Sequence, residues 1–269
     1  MHHASFSSVD FQLSYREEPL AFCVDCHAPQ GRKLGTPDAF AHGIGCESCH
    51  PASPAHAKGP TATRATTTIC ESCHDFDSER APTALQSTGR EHAASRHAGT
   101  SCMECHMERA PSGVRDHRFD VSRNGAFLAR AIAIGDAKRE GDSVSFVLRS
   151  VAVGHRFPTG DIFRRLHVRA WVEDASGLIV ADAEFALNRD WAAHRAVRAG
   201  GERGSGMEPG DTRLGNEPRE LRVPLASATS AGAPLRLFVR VDYERGFEAR
   251  AGRLELFSTL RIAERELGL

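Results

Sequence analysis

Eight cysteines stand in four C-x-x-C pairs, each followed at once by histidine: Cys23-Val24-Asp25-Cys26-His27, Cys46-Glu47-Ser48-Cys49-His50, Cys70-Glu71-Ser72-Cys73-His74 and Cys102-Met103-Glu104-Cys105-His106. Two thiols at this spacing reach the two vinyl groups of one porphyrin while the next side chain turns its imidazole onto the iron, which is the attachment chemistry of c-type haem. With 14 histidines in 269 residues, histidine would follow all four pairs by accident with a chance of roughly 10⁻⁵. Zinc knuckles and disulfides also use paired cysteines, but neither needs a histidine immediately after each pair. The pattern therefore predicts four haem c groups, held through Cys23, Cys26, Cys46, Cys49, Cys70, Cys73, Cys102 and Cys105, with His27, His50, His74 and His106 as proximal ligands.

The identity of each sixth ligand decides between carrying electrons and catalysis, because an open position admits a substrate. Histidines outside the motifs are the candidates, foremost His2, His3, His56, His97, His117 and His155. His56, six residues after His50 in a Pro- and Ala-rich loop, can swing over a neighbouring haem but hardly over its own. His97 precedes Cys102 by five residues, His117 lies in Asp116-His117-Arg118-Phe119, and His155 lies in the turn Gly154-His155-Arg156-Phe157-Pro158-Thr159-Gly160. For each the alternative is a solvated surface imidazole. His42 and His92 read as bystanders, His167 as an outward strand residue, and His194 as a weak candidate. Met103 and Met107 lie in or beside a motif and cannot easily reach the far face of that haem, so bis-histidine ligation and low potentials are expected.

The elements that must position these groups fall into two halves. Residues 1–117 hold all eight cysteines and eleven histidines but only nine Val, Ile or Leu, whereas residues 118–269 hold no cysteine and thirty-two. Nine such residues cannot make a conventional core, so the porphyrins themselves must serve as interior in the first half. Successive motifs begin 23, 24 and 32 residues apart, with Pro51–Pro54 and 59–63 reading as loops and Ala84–Ala98 as a short helix. In the second half, apolar residues alternate at Val144, Phe146, Leu148; at Leu166, Val168, Ala170, Val172; and at Leu235, Leu237, Val239, Val241. Leu221, Val223, Leu225 and Leu254, Leu256, Leu260, Ile262 add two more strands, with turns at Asp174–Gly177 and Gly210-Asp211. The prediction is a mixed fold. A multihaem domain at 1–120, irregular and α with little regular secondary structure, precedes an all-β, Ig-like antiparallel sandwich of six to eight strands at 121–269. Arg195–Gly215, with six glycines and no apolar periodicity, reads as a long mobile loop or a partner-binding one.

Composition narrows the function. Lys+Arg 34 against Asp+Glu 35 argues against a nucleic-acid binder, and no apolar run approaches the ~18 residues that span a bilayer. Four haems bring two propionates each, taking the formal charge to roughly −9 and suggesting an acidic face for basic redox partners.

The chain resembles multihaem c-type cytochromes with a C-terminal β-sandwich, related to the cytochrome c-554-type tetrahaem proteins. The resemblance is carried by His2-His3-Ala4-Ser5-Phe6 through Phe11-Gln12, Glu18–Phe22 with the first motif and Ala28-Pro29, and Gly43-Ile44-Gly45 before the second motif. It continues in Cys102–Met107 with His117-Arg118-Phe119, and in Gly154–Gly160. In that family the first block follows a secretion signal and often a further C-x-x-C-H. The resemblance thus implies that Met1 is an internal methionine or misplaced start, that the precursor is longer, that His2 or His3 is a distal ligand, and that the protein is exported to the periplasm or beyond the cell. The resulting expectation is electron transfer between other redox proteins or cytochromes in a respiratory chain, or in a filament or homo-oligomer of this chain. The alternative is an oxidoreductase acting on a small nitrogen or sulfur compound at one open haem. All four motifs end in histidine, and neither Tyr15 nor Tyr243 sits in a recognisable catalytic motif, which favours the carrier over the enzyme. A mineral- or carbohydrate-binding role rests on the sandwich alone.

Overall fold

The computed structural model describes residues 21–36, 43–50, 66–77, 84–119, 121–189, 210–226, 234–248 and 254–269. The described residues fall into two compact units: those within Met1–Phe76 and Ala98–Asp120, and those within Asp77–His97 and Val121–Leu269. All four cysteine motifs belong to the first. Residues 77–97 lie inside the cysteine-bearing stretch 1–120, yet they associate with the second unit.

The first unit is built from short helices: α1 (Ala21–His27), α2 (Pro29–Leu34), α3 (Cys46–Cys49) and α4 (Thr67–His74). A further helix (Cys102–His106) carries the fourth motif. None is long enough to be stable alone. Among the described residues of this unit, the buried apolar side chains are Cys23, Ala28 and Met107. The scarcity of Val, Ile and Leu is thus matched by a near absence of packed aliphatic core.

The second unit opens on α5 (Thr88–Ala93); the Cys102–His106 helix is α6 and Gly125–Ala129 is α7. The predicted helix over Ala84–Ala98 is shorter than expected. It begins after Ser87 and ends at Ala94, while Ala84 and Leu85 are held as an extended lead-in by the buried Arg189, whose guanidinium donates to both their carbonyls. Asn124 caps α7, its side-chain oxygen accepting from Phe127 N at 3.0 Å, as a helix N-terminus requires.

Seven strands follow: β1 (Ile132–Glu140), β2 (Ser143–Ser150), β3 (Arg164–Asp174), β4 (Ile179–Asn188), β5 (Arg219–Pro224), β6 (Leu235–Glu248) and β7 (Leu254–Gly268). They form a three-stranded sheet in the order β1-β2-β5 and a four-stranded sheet in the order β4-β3-β6-β7. Every pairing is antiparallel. The strict alternation of the sequence sets the register: Leu166, Val168, Ala170 and Val172 lie opposite Tyr243, Val241, Val239 and Leu237, all pointing inward and enclosed. Val144 and Phe146 lie opposite Val223 and Leu221 in the other sheet. The two inner faces share one core, in which Phe146 meets Phe185 edge to face with centroids 6.4 Å apart. Strands β1 and β4 were not singled out by alternation. In β1 a bulge between Gly135 and Lys138 breaks the period, and β4 is an edge strand with alanines on its inner face.

The expected turn at Asp174–Gly177 is present. Asp174 Oδ1 accepts from the backbone N of Ser176 and Leu178 at 2.8 and 3.1 Å, and Gly177 sits at φ +87°, where a glycine is favoured. On the outward face of the four-stranded sheet Trp171 stacks on Phe238 at 5.3 Å, with Arg169 and Arg240 each 5.5 Å from the Trp171 ring. Among the described residues no helix is long and apolar enough to cross a membrane.

Because Phe146 is fully enclosed at the junction of the two sheets, Phe146→Ala is expected to destabilise this unit by about 3–5 kcal/mol. Thermal unfolding followed by far-UV circular dichroism checks the loss.

Candidate functional site

A C-x-x-C-H sequence wound into one helical turn places both thiols and the imidazole on one side, since residues three and four apart are neighbours on a helix. Each motif lies on such a turn: the first closes α1, the second forms α3 and its cap His50, the third closes α4, and the fourth is α6. The fourth is framed by a capping box in which Ser101 and Glu104 exchange hydrogen bonds, Ser101 N donating to Glu104 Oε2 at 2.7 Å. That bonding holds the Glu104 carboxyl below its ordinary range.

The motifs converge within the first unit. α4 packs against both α1 and α6. The Cys26 thiol is hydrogen-bonded with Cys73, which pushes Cys26 up and draws Cys73 down to about 6. Cys70 is likewise bonded with Cys102 and pushed up, while burial raises Cys49. Among the described residues no three His, Cys, Asp or Glu side chains converge as a metal-holding group. The donors are instead distributed as four sets of two thiols and one imidazole on short helices of a unit that buries few aliphatic side chains. That arrangement suits a large flat apolar group with one metal at its centre, and these residues fit haem.

The chain after α6 places His117. Arg115 Nη1 donates to the carbonyls of Met103 and Met107 at 2.6 and 3.0 Å, tying the segment back onto the end of α6. Between them runs a tight reversal, in which Ala110 N donates to Val114 O at 2.9 Å and Asp116 N to Glu108 O at 2.9 Å. His117 then lies beside His50 of the second motif, with ring centroids 6.3 Å apart and planes at 44°. Its Nδ1 is 2.8 Å from Arg115 O. A carbonyl only accepts, so in the neutral ring Nδ1 carries the proton and Nε2 keeps its lone pair, the tautomer a metal ligand needs. Arg118 fixes the preceding Asp116 through a fork of hydrogen bonds that holds the Asp116 carboxyl down to about 2.

A second group of histidines gathers in the second unit. His92 on α5, His97 and His155 meet around Gly154, where an added Cβ would lie 2.9 Å from His92 Cδ2 and 3.1 Å from His97 Cβ. Only glycine lets the turn pass so close. Burial pushes His155 below its ordinary value, and its Nδ1 lies 2.9 Å from Arg156 O, giving the same tautomer as His117. His97 Nε2 accepts weakly from Arg96 Nε at 3.4 Å.

These imidazoles are positioned by residues that sequence reasoning missed. Glu91, on α5 beside His92, accepts from Ser87 Oγ (2.7 Å), Arg156 N (3.1 Å), Thr159 Oγ1 (3.0 Å) and Arg213 Nη2 (2.8 Å). Arg213 also donates to Asp211 and to Pro158 O. Although burial opposes its charge, Asp211 and Glu91 hold the guanidinium protonated. The segment from Gly210 to Gly215, predicted to belong to a mobile loop, is therefore fixed: Asp211, Arg213 and Leu214 are buried, and Leu214 pairs with Phe157. Its polar, glycine-rich composition concealed a buried ion network. Residues 195–209 of that stretch, together with His2, His3, His42, His56 and His194, lie outside the described residues. His167 faces outward as expected, its Nε2 3.4 Å from Glu184.

No family model matches the chain, and no curated protein matches it. Among solved structures, it is similar to the crystal structure of a penta-haem cytochrome c552 from Thermochromatium tepidum. The TM-score is 0.65 and the identity 21%, over 92% of this chain and 84% of that one. The chain thus shares the fold of a multihaem cytochrome. MtrC from Shewanella baltica OS185 matches with a TM-score of 0.24 and 15% identity over 82% of this chain and 35% of that one. An FMN-binding beta-glucuronidase from Facaelibacterium prausnitzii L2-6 matches with a TM-score of 0.22 and 17% identity over 52% and 15%. Superpositions this loose carry no argument.

Removing the Arg213 cation deprives the buried Glu91 of its ion pair and leaves Asp211 with the longer contact to Arg156 Nε at 3.7 Å. Arg213→Met is expected to cost about 3–5 kcal/mol in thermal or denaturant unfolding. Gly154→Ala is expected to displace His92 and His97, visible as shifted imidazole resonances in NMR spectra, while the native fold persists.

Proposed function

We propose that this protein is an electron-transfer multihaem c-type cytochrome binding four haem c groups. They are attached through Cys23 and Cys26, Cys46 and Cys49, Cys70 and Cys73, and Cys102 and Cys105, with His27, His50, His74 and His106 as proximal ligands. Haem supplies reversible one-electron chemistry at iron, tuned by its axial ligands and burial. The cysteines fix each group covalently, and the helical turn aims the following histidine at its centre.

The observation that carries the reading is the facing pair His50 and His117. Two imidazoles sharing one metal lie with ring centres roughly 6 Å apart, given metal–nitrogen bonds of ~2.0 Å on either side. The observed 6.3 Å and the tautomer set by Arg115 O suit His117 as the distal partner of His50. A histidine on both sides closes that position to substrate, which favours a carrier over an oxidoreductase. For the remaining sixth positions the proposal keeps His2, His3, His56, His97 and His155. A periplasmic or extracellular setting, with other cytochromes or redox proteins as partners, agrees with covalent haem attachment and with the shared fold. Assembly into a filament is a variant of the same reading. A domain division at 120/121, with a haem-binding part before it and a β-sandwich after it, belongs to the proposal, with 77–97 grouped with the β-rich unit.

Pyridine haemochrome analysis with intact mass is expected to give four haems per chain, and electron paramagnetic resonance of the oxidised protein to show low-spin signals only. A stoichiometric high-spin signal in the unmodified protein would point to an open site and the enzyme reading. His117→Ala is expected to convert one low-spin signal to high spin at unchanged haem content, and His117→Met to keep it low-spin at a raised potential. Spectra unaltered by either substitution would remove His117 from the ligand set.

A further inference from the structure

His117 is exposed, so no surrounding core holds its ring beside His50, and the short segment that carries it must do so. That segment is a hairpin leaving α6 at once. Arg109 pairs with Arg115 across it, Asp116 N donates to Glu108 O at 2.9 Å, and Ala110 N to Val114 O at 2.9 Å. At its tip Gly113 sits at φ +80°, and its carbonyl accepts from Arg109 Nη1 at 2.8 Å. These bonds stiffen the hairpin internally, but none of them fixes its angle to α6. Arg115 sets that angle. Residues 111–114 are exposed, whereas Arg115 is half-buried, with Nη1 donating to Met103 O at 2.6 Å and Met107 O at 3.0 Å. The two carbonyls belong to the last turn of α6, where a helix leaves acceptors unsatisfied and favours a cation. A charged donor makes the stronger kind of hydrogen bond. Through its backbone the same residue acts in the other direction: Arg115 O holds His117 Nδ1 at 2.8 Å. Phe119 completes the setting, its ring 6.5 Å from His117 and at 76° to it. The side chain of Arg115 thus grips the helix of the fourth motif while its carbonyl aims an imidazole at the second.

We propose that Arg115 is the positioning residue for the sixth ligand of the second site, so that ligation there is carried on the helix of the fourth motif. This rests on the reading of His117 as the distal partner of His50. The part played by Arg115 is indirect: its guanidinium holds the hairpin angle at which the two imidazoles stand 6.3 Å apart. A tethered ligand binds through its effective concentration, which is high when the tether is held in the right place and falls when the tether swings. Loosening the hairpin therefore weakens His117 against water or an added base at that one position and leaves the other three sites untouched.

The test is electron paramagnetic resonance of the oxidised holoprotein, with haem content measured on each sample. His117→Ala first identifies the low-spin signal that depends on His117. Arg115→Met keeps an unbranched stem and the backbone carbonyl but removes the donors. It is expected to shift that signal and lose part of it to high spin, the other three staying unchanged, and added imidazole is expected to recover the low-spin form. The comparator Arg109→Ala cuts only the bond at the hairpin tip and is expected to leave every signal in place. The proposal is overturned if the His117-dependent signal is unaltered in Arg115→Met, if all four signals change together, or if Arg109→Ala causes an equal loss. A high-spin signal that added imidazole leaves unchanged overturns it as well. Should Arg115→Met bind fewer haems than the unmodified protein, Arg115→Lys takes its place. Its ammonium still donates, but from a stem one atom shorter, so it reaches the two carbonyls only by drawing the hairpin in. The same signal alone is then expected to shift, and an unshifted signal overturns the proposal. An unaltered spectrum in His117→Ala would instead overturn the reading on which it rests.

Discussion

One turn of α-helix carries most of the burden in the cysteine-bearing unit. Thiols three residues apart and an imidazole one residue further share a face only while that turn is wound. Yet helices of four to eight residues lack the hydrogen bonds to hold themselves. Their support comes from neighbours and from what they grip. The Ser101–Glu104 capping box and the Arg115 contacts to the end of α6 show the chain reinforcing the fourth turn locally. Packing of α4 on α1 and α6 reinforces the third. With Cys23, Ala28 and Met107 its buried apolar side chains among the described residues, the unit has little aliphatic interior of its own, and the proposed haems would supply one.

The β-rich unit follows the opposite economy. Two antiparallel sheets bury interlocking Val, Leu and Phe, enough to order that unit by apolar burial. Such a core can bear the cost of sequestering charge, and it does so at Glu91, Asp211 and Arg213. A buried ion triad contributes little net stability but is unforgiving of a missing member. Here it fixes α5 against the turn 154–160 and thereby brings His92, His97 and His155 around Gly154. Residues 77–97 belong with the sheets for this reason, although they lie between cysteine motifs in the chain.

The histidines show how position in sequence and position in space diverge. His117 follows the fourth motif but sits against His50 of the second, because the reversal over Glu108–Asp116 turns the chain back. His97 precedes the fourth motif by five residues yet groups with His92 and His155. In both His117 and His155 a backbone carbonyl fixes the tautomer, a contact invisible in a one-dimensional pattern.

What the sequence determined by itself is the local chemistry and the two kinds of core. The C-x-x-C-H spacing is a local geometric code, read within five residues. The period-two alternation from Val144 to Val241 is likewise local, because a strand half-buried in a sheet must present every second side chain inward. The weak spots were places where local pattern was interrupted, as at the bulge in β1, or where composition misled, as at Gly210–Gly215. Only the tertiary structure decided which thiols touch, which imidazole faces His50, and that Glu91, Asp211 and Arg213 meet. These are contacts between residues far apart in the chain, with partners chosen by the packing of whole elements, and no spacing along the sequence encodes them.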